Sequence, residues 1–113
     1  MTIKLAQHLT KANVPKNSAL IIAHIIEHGD SKAVQIERAT DLRQPEVSIA
    51  TNWLREKGWL TKTDSKPKGN GRPTHVYSLK KSAQEIYKEV EKEEMKMVKE
   101  IEGNLKELKK NLK

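Results

Sequence analysis

Gln44-Pro45-Glu46-Val47-Ser48-Ile49-Ala50-Thr51-Asn52-Trp53-Leu54-Arg55-Glu56-Lys57-Gly58-Trp59-Leu60 spells a helix with both ends marked. Pro45 suits the first helical position, where its missing N–H has no intrahelical partner to lose, and Gly58 suits the left-handed residue that ends a helix. Between them Val47, Ala50 and Leu54 recur at helical spacing and can face a core, while Gln44, Ser48, Asn52 and Arg55 point away from it. That outer face carries hydrogen-bonding groups of the kind that meet base edges and phosphates.

Upstream, Asn17 and Ser18 are good N-caps for the apolar run Ala19-Leu20-Ile21-Ile22-Ala23-His24-Ile25-Ile26, which stops at His28-Gly29 and predicts a central buried helix. Ser31 caps a second helix of about ten residues with Ala33, Val34, Ile36 and Ala39 as its apolar set, ending near Thr40-Asp41-Leu42. A short turn through Leu42-Arg43 then leads into the quoted helix, an order that fits helix-turn-helix geometry. Residues 3 to 12, with Ile3, Leu5, Ala6, Leu9 and Ala12, fit a short helix broken by Val14-Pro15.

Downstream, Trp59-Leu60-Thr61-Lys62-Thr63 and His75-Val76-Tyr77-Ser78-Leu79 are rich in β-formers and flank a Pro/Gly/Lys loop from Ser65 to Thr74. This predicts a β-hairpin with a basic tip holding Lys66, Lys68 and Arg72. An Arg at such a tip suits the narrow minor groove, and the two Lys suit phosphates; the alternative is a surface loop without function.

Gln44, Pro45, Val47, Ser48, Leu54 and Gly58, followed by Gly71-Arg72-Pro73 and Tyr77-Ser78-Leu79, resemble the recognition helix, wing and closing strand of winged helix-turn-helix transcription regulators of the MarR, ArsR and TrmB groups. The resemblance covers residues 18 to 81. It departs from the family pattern at Ile49, where those proteins often carry Arg, and at Trp53. It implies a winged helix that binds double-stranded DNA.

From Ser82 to Leu112 only Gly103 interrupts helical character. Ala83, Ile86, Tyr87 and Val90 make one apolar stripe, and Val98, Ile101, Leu105, Leu108 and Leu112 make a second with alternating three- and four-residue spacing. About 31 residues at 1.5 Å each span roughly 46 Å, longer than a small domain, so such a helix projects into water or packs on another chain. Its balanced Glu and Lys predict a dimerising coiled coil; the alternative is a solvated single helix with a frayed end. The expected fold is therefore mainly α with a small β-hairpin (α+β), a winged helix-turn-helix over 1–81 and a C-terminal dimerisation helix over 82–113.

The charge divides along the same line. Of a net +7, residues 1 to 81 hold 14 Lys and Arg against 7 Asp and Glu, whereas residues 82 to 113 hold 8 of each. The excess lies on the part expected to meet a polyanion. A chain of 113 residues, 35% hydrophobic and without Phe, has room for one small aliphatic core and an appended element, and leaves none for a separate ligand-sensing domain. The absence of Cys excludes disulfides, Cys-ligated zinc and thiol nucleophiles. No long apolar run marks a signal peptide or a membrane span, so a cytoplasmic location is expected, with no membrane partner, cofactor or evident small-molecule ligand.

On the quoted helix, Gln44 and Asn52 carry the paired donor and acceptor that match adenine, Arg43 and Arg55 reach guanine or phosphate, and Ser48 suits a phosphate. Ile49 lies one turn from Trp53, where an apolar group can meet a thymine methyl; Trp53 itself suits packing against a neighbouring element better. The expected DNA-binding set is Arg43, Gln44, Pro45, Ser48, Ile49, Asn52 and Arg55 on helix 45–57, with Lys66, Lys68 and Arg72 on wing 65–74. His24 and His28 stand at i and i+4, the spacing of two metal ligands, but lack a third, so a core or helix-terminal role fits them better. No convergent polar constellation suggests an enzyme. The reading is a dimeric, sequence-specific DNA-binding transcriptional regulator, with a winged-helix protein-interaction module of a transcription or replication complex as the alternative.

Overall fold

In the computed structural model, which describes residues 2–65 and 74–112, helices end where left-handed residues are cheap. Helix α1 (Thr2–Lys11) closes with Asn13 at φ +69°; the N–H of Val14 reaches the carbonyl of Leu9 and that of Asn13 the carbonyl of Thr10, both at 3.1 Å. This paired closure satisfies carbonyls that the helix end would otherwise orphan, and Asn is one of the few side chains that tolerates the conformation. Helix α2 (Lys16–His28) ends at Gly29, whose φ of 82° and ψ of −163° fall in a region open essentially to glycine alone.

Lys16 starts α2 three residues before the apolar run that begins at Ala19, and neither Asn17 nor Ser18 caps it. Pro15 is the N-cap, with its carbonyl accepting the N–H of Ala19 at 2.8 Å. Ser18 is instead buried within the helix, and its hydroxyl donates to the carbonyl of Ala50 at 3.0 Å. A partner across the core outcompetes the cap, because the same hydroxyl would otherwise be buried without one.

Gly29 turns the chain into β1 (Ser31–Lys32), a two-residue strand absent from the sequence-based expectation. Ser31 is not a helix cap: it pairs with Tyr77 in the sheet and donates its hydroxyl to the carbonyl of Gly29 at 2.9 Å. Helix α3 (Ala33–Thr40) begins one step later, with Lys32 as N-cap donating its N–H to the Gln35 side chain at 2.8 Å. Ile36 is its buried residue, while Val34 and Ala39 are exposed, so the face of α3 given to the core is narrower than its four apolar residues suggested.

Asp41, left-handed at φ +58°, ends α3, and after Leu42 and Arg43 helix α4 runs from Gln44 to Glu56. Val47, Ala50, Thr51 and Leu54 form its buried face, on which α2 packs. Thr51 is tolerated there because its hydroxyl donates to the carbonyl of Val47 at 2.8 Å. At the other end the N–H of Trp59 bonds the carbonyl of Leu54 at 3.1 Å and that of Gly58, at φ +78°, bonds Arg55 at 3.0 Å. The apolar contact that goes with this closure is made by Trp59 on Trp53, edge to face at 5.6 Å.

Strands β2 (Leu60–Ser65) and β3 (Thr74–Leu79) are antiparallel, in register from Leu60↔Leu79 to Ser65↔Thr74. With β1 on the far side of β3 they make a three-stranded sheet in the order β1-β3-β2. Ile21, Ile22 and Ile25 of α2, Ile36, Leu54, Trp59, Leu60 and Tyr77 make the aliphatic-rich core.

The chain divides into two units, Met1–Ser82 and Ala83–Lys113. The second is helix α5 (Ala83–Asn111), about 43 Å long at 1.5 Å per residue. Ile86 is buried, Tyr87 is exposed and donates to the Glu91 side chain, and from Met95 to Leu112 every residue is exposed. Among the described residues no helix is long and apolar enough to cross a membrane.

Two glycines separate backbone strain from helix propensity. An added Cβ meets nothing within 4 Å at either Gly58 or Gly103, but only Gly58 has positive φ. Gly58→Ala should therefore cost about 1–2 kcal/mol and lower the unfolding midpoint, whereas Gly103→Ala should raise the helicity of α5, gaining up to about 1 kcal/mol. Thermal unfolding followed by far-ultraviolet circular dichroism checks both signs.

Candidate nucleic-acid interface

Helix α4 is fixed at both ends by local chemistry, and that fixes its outward face. At the start, Arg43 as N-cap donates its backbone N–H to the Glu46 carboxylate at 3.1 Å, and the carboxylate lies at the positive end of the helix dipole. Gln44 takes the first helical position and Pro45 the second, still within the turn that has no N–H partners to lose. At the finish, the double closure at Gly58 holds the last turn.

Arg43, Gln44, Pro45, Ser48, Ile49, Asn52 and Arg55 are all exposed. Successive residues turn by about 100°, so Arg55, Ser48 and Gln44 run along one flank and Pro45, Asn52 and Ile49 along the outermost line. The Arg55 guanidinium donates from Nη1 to Asn52 Oδ1 at 3.4 Å, which links two adjacent side chains of the set. Asn52 keeps its amide NH2 and a second oxygen lone pair, the donor and acceptor that an adenine edge requires.

Trp53 is half-buried, with its ring against Trp59 and the Lys57 ammonium 5.4 Å from its centroid. It is packed, as its size suggested. Beside it the start of α2 meets α4 in an open groove of about 300 Å³, lined by Pro15, Lys16, Asn17, Ser18, Glu46, Ile49, Ala50 and Trp53. The neighbourhood of Pro15 and Lys16 was not legible in the sequence, because it depends on how α2 crosses α4.

Lys66, Lys68 and Arg72 lie outside the described residues. The strands that lead to them are described: Asp64 pairs with His75, Oδ1 to Nδ1 at 2.6 Å, and the Thr61 and Thr63 hydroxyls donate across to the carbonyls of Ser78 and Val76, both at 3.4 Å. These cross-strand links hold the register of β2 against β3.

The rings of His24 and His28 lie 4.6 Å apart, and His28 Nε2 is 3.8 Å from Glu27. Partial burial lowers the pKa of His24, the His28 charge lowers it further, and Glu27 opposes both. Among the described residues no three His, Asp or Glu side chains come together as metal ligands. Compared with protein-family models, curated proteins and solved structures, the chain has no significant match.

Proposed function

We propose that this chain is a sequence-specific DNA-binding regulator of transcription, cytoplasmic and homodimeric, built as a winged helix-turn-helix. On this reading α3 braces α4, α4 enters the major groove, and the hairpin is the wing. One observation carries the proposal: a helix locked at both ends and buried along Val47, Ala50, Thr51 and Leu54 presents Gln44, Ser48, Asn52 and Arg55 together on its free side. The charge supports it, since the excess of Lys and Arg lies within residues 1 to 81 and leaves residues 82 to 113 neutral.

Exposed Val98, Ile101, Leu105 and Leu108 on α5, with Leu112 just past its end, support the dimer. Their alternating spacing is that of a coiled-coil seam, and a second copy of the same stripe would remove it from water. Two linked half-sites then bind far better than one.

Selection from a random duplex library tests the reading: the protein should enrich one motif, arranged as an inverted repeat with half-sites about 34 Å apart or a multiple of it. Against that motif Asn52→Ala or Gln44→Ala should lower discrimination over random duplex by ~1–3 kcal/mol where the amide reads a base bidentately. Full selectivity in both variants would show that α4 is not the reader. Deletion of residues 95–113 should leave a folded first unit by circular dichroism, but a weakened dimer by sedimentation, with a loss of site affinity larger than any single contact explains. A truncated protein that stays dimeric would remove α5 from assembly.

A further inference from the structure

Ile49 is 73% exposed, the more open of the two large aliphatic side chains, with Val34, that the first unit shows to solvent among its described residues. Single exposed aliphatics are ordinary on protein surfaces, so exposure alone says little. Its position says more. Ile49 stands on the outermost line of α4, about 60° round from Asn52 and one turn from Pro45, on the same exposed side as the hydrogen-bonding Gln44, Ser48, Asn52 and Arg55. Helix propensity does not call for a β-branched residue there.

Behind Ile49 the groove supplies Pro15, Ala50 and Trp53 as an apolar wall. The one carboxylate in that wall, Glu46, already accepts the Arg43 N–H. A small apolar group that came to rest on Ile49 would thus leave water on the side of Pro15, Ala50 and Trp53, in a groove that Lys16, Asn17 and Ser18 also line. In the major groove a single kind of apolar group is on offer, the methyl at C5 of a pyrimidine.

We propose that Ile49 reads a pyrimidine C5 methyl, and that the preferred duplex carries one at the base pair read by Asn52 or at its neighbour. This rests on the DNA-binding reading above. The register follows from reach: Ile49 and Asn52 differ by about 4.5 Å along the helix axis, against a rise of about 3.4 Å per base pair. An A·T pair answers both at once, since the adenine edge that suits an amide lies beside the thymine methyl. Thymine and 5-methylcytosine both supply the group.

The test begins with the duplex that the full chain selects from a random library. Each dT in it is replaced in turn by dU, which removes the methyl and leaves every hydrogen-bonding group. At one position per half-site affinity should fall about four-fold, the loss expected for one methyl taken out of an apolar contact. Ile49→Ala should bind the original duplex less well and no longer distinguish dT from dU there. Its fold is checked by circular dichroism, and the position is exposed. Where the selected base is dC, 5-methyl-dC should raise wild-type affinity and leave Ile49→Ala unmoved, which would assign the methyl to 5-methylcytosine.

A flat dU and 5-methyl-dC series, with Asn52→Ala still losing discrimination, overturns the role of Ile49 and leaves DNA reading intact. A methyl effect that survives in Ile49→Ala also overturns it. If no duplex is selected, the DNA-binding reading fails, and this inference with it.

Discussion

A hydrogen bond of 3.0 Å from the Ser18 hydroxyl to the Ala50 carbonyl joins α2 to α4 where neither group meets water. The carbonyl also belongs to the α4 ladder, so the hydroxyl takes its second lone pair and fixes one helix against the other without breaking either. Small side chains make the approach possible: Ser18, Ala19 and Ala50 are all buried. Once α4 is held at this point its rotation is set, with Val47, Thr51 and Leu54 inward and Gln44, Ser48, Asn52 and Arg55 outward. The closure at Gly58 then sends the chain into β2, and Trp59 reaches back to Trp53. The hairpin therefore takes its starting point from the same helix whose outer face carries the candidate site.

What the sequence made legible was local and periodic. Pro45 and Gly58 bracketed α4 to within a residue or so, its two faces followed from helical spacing, and turn residues separated the two strands. What it hid were competitions settled at long range. Asn17-Ser18 has the composition of a cap, but Ser18 finds its partner 32 residues away. Ser31 also resembles a cap, but the free edge of β3 claims it as a strand too short to show a period. Val34 matched the α3 stripe by spacing and is half-exposed all the same, because Ile36 alone points to the core.

The candidate site divides in the same way. The exposed set on α4 could be read directly, since an outward face is the complement of a buried one. The groove beside Ile49 could not, because Pro15 and Lys16 reach it only through the crossing of α2 over α4. The proposed division of labour has a physical basis: the first unit holds the excess positive charge, and α5 holds the exposed aliphatic stripe. Under the proposed function, charge would draw a polyanion to one and apolar area would draw a second copy to the other, so neither role would compromise the other.

The most direct test of the central claim is the salt dependence of duplex binding by the full chain. If basic side chains of the first unit neutralise several phosphates, log affinity should fall linearly with log salt, with a slope of about −0.9 per phosphate contact and a total of roughly −4 or steeper. No binding to duplex at low salt, or binding with a slope near zero, would contradict the account and favour a protein partner for the same surface.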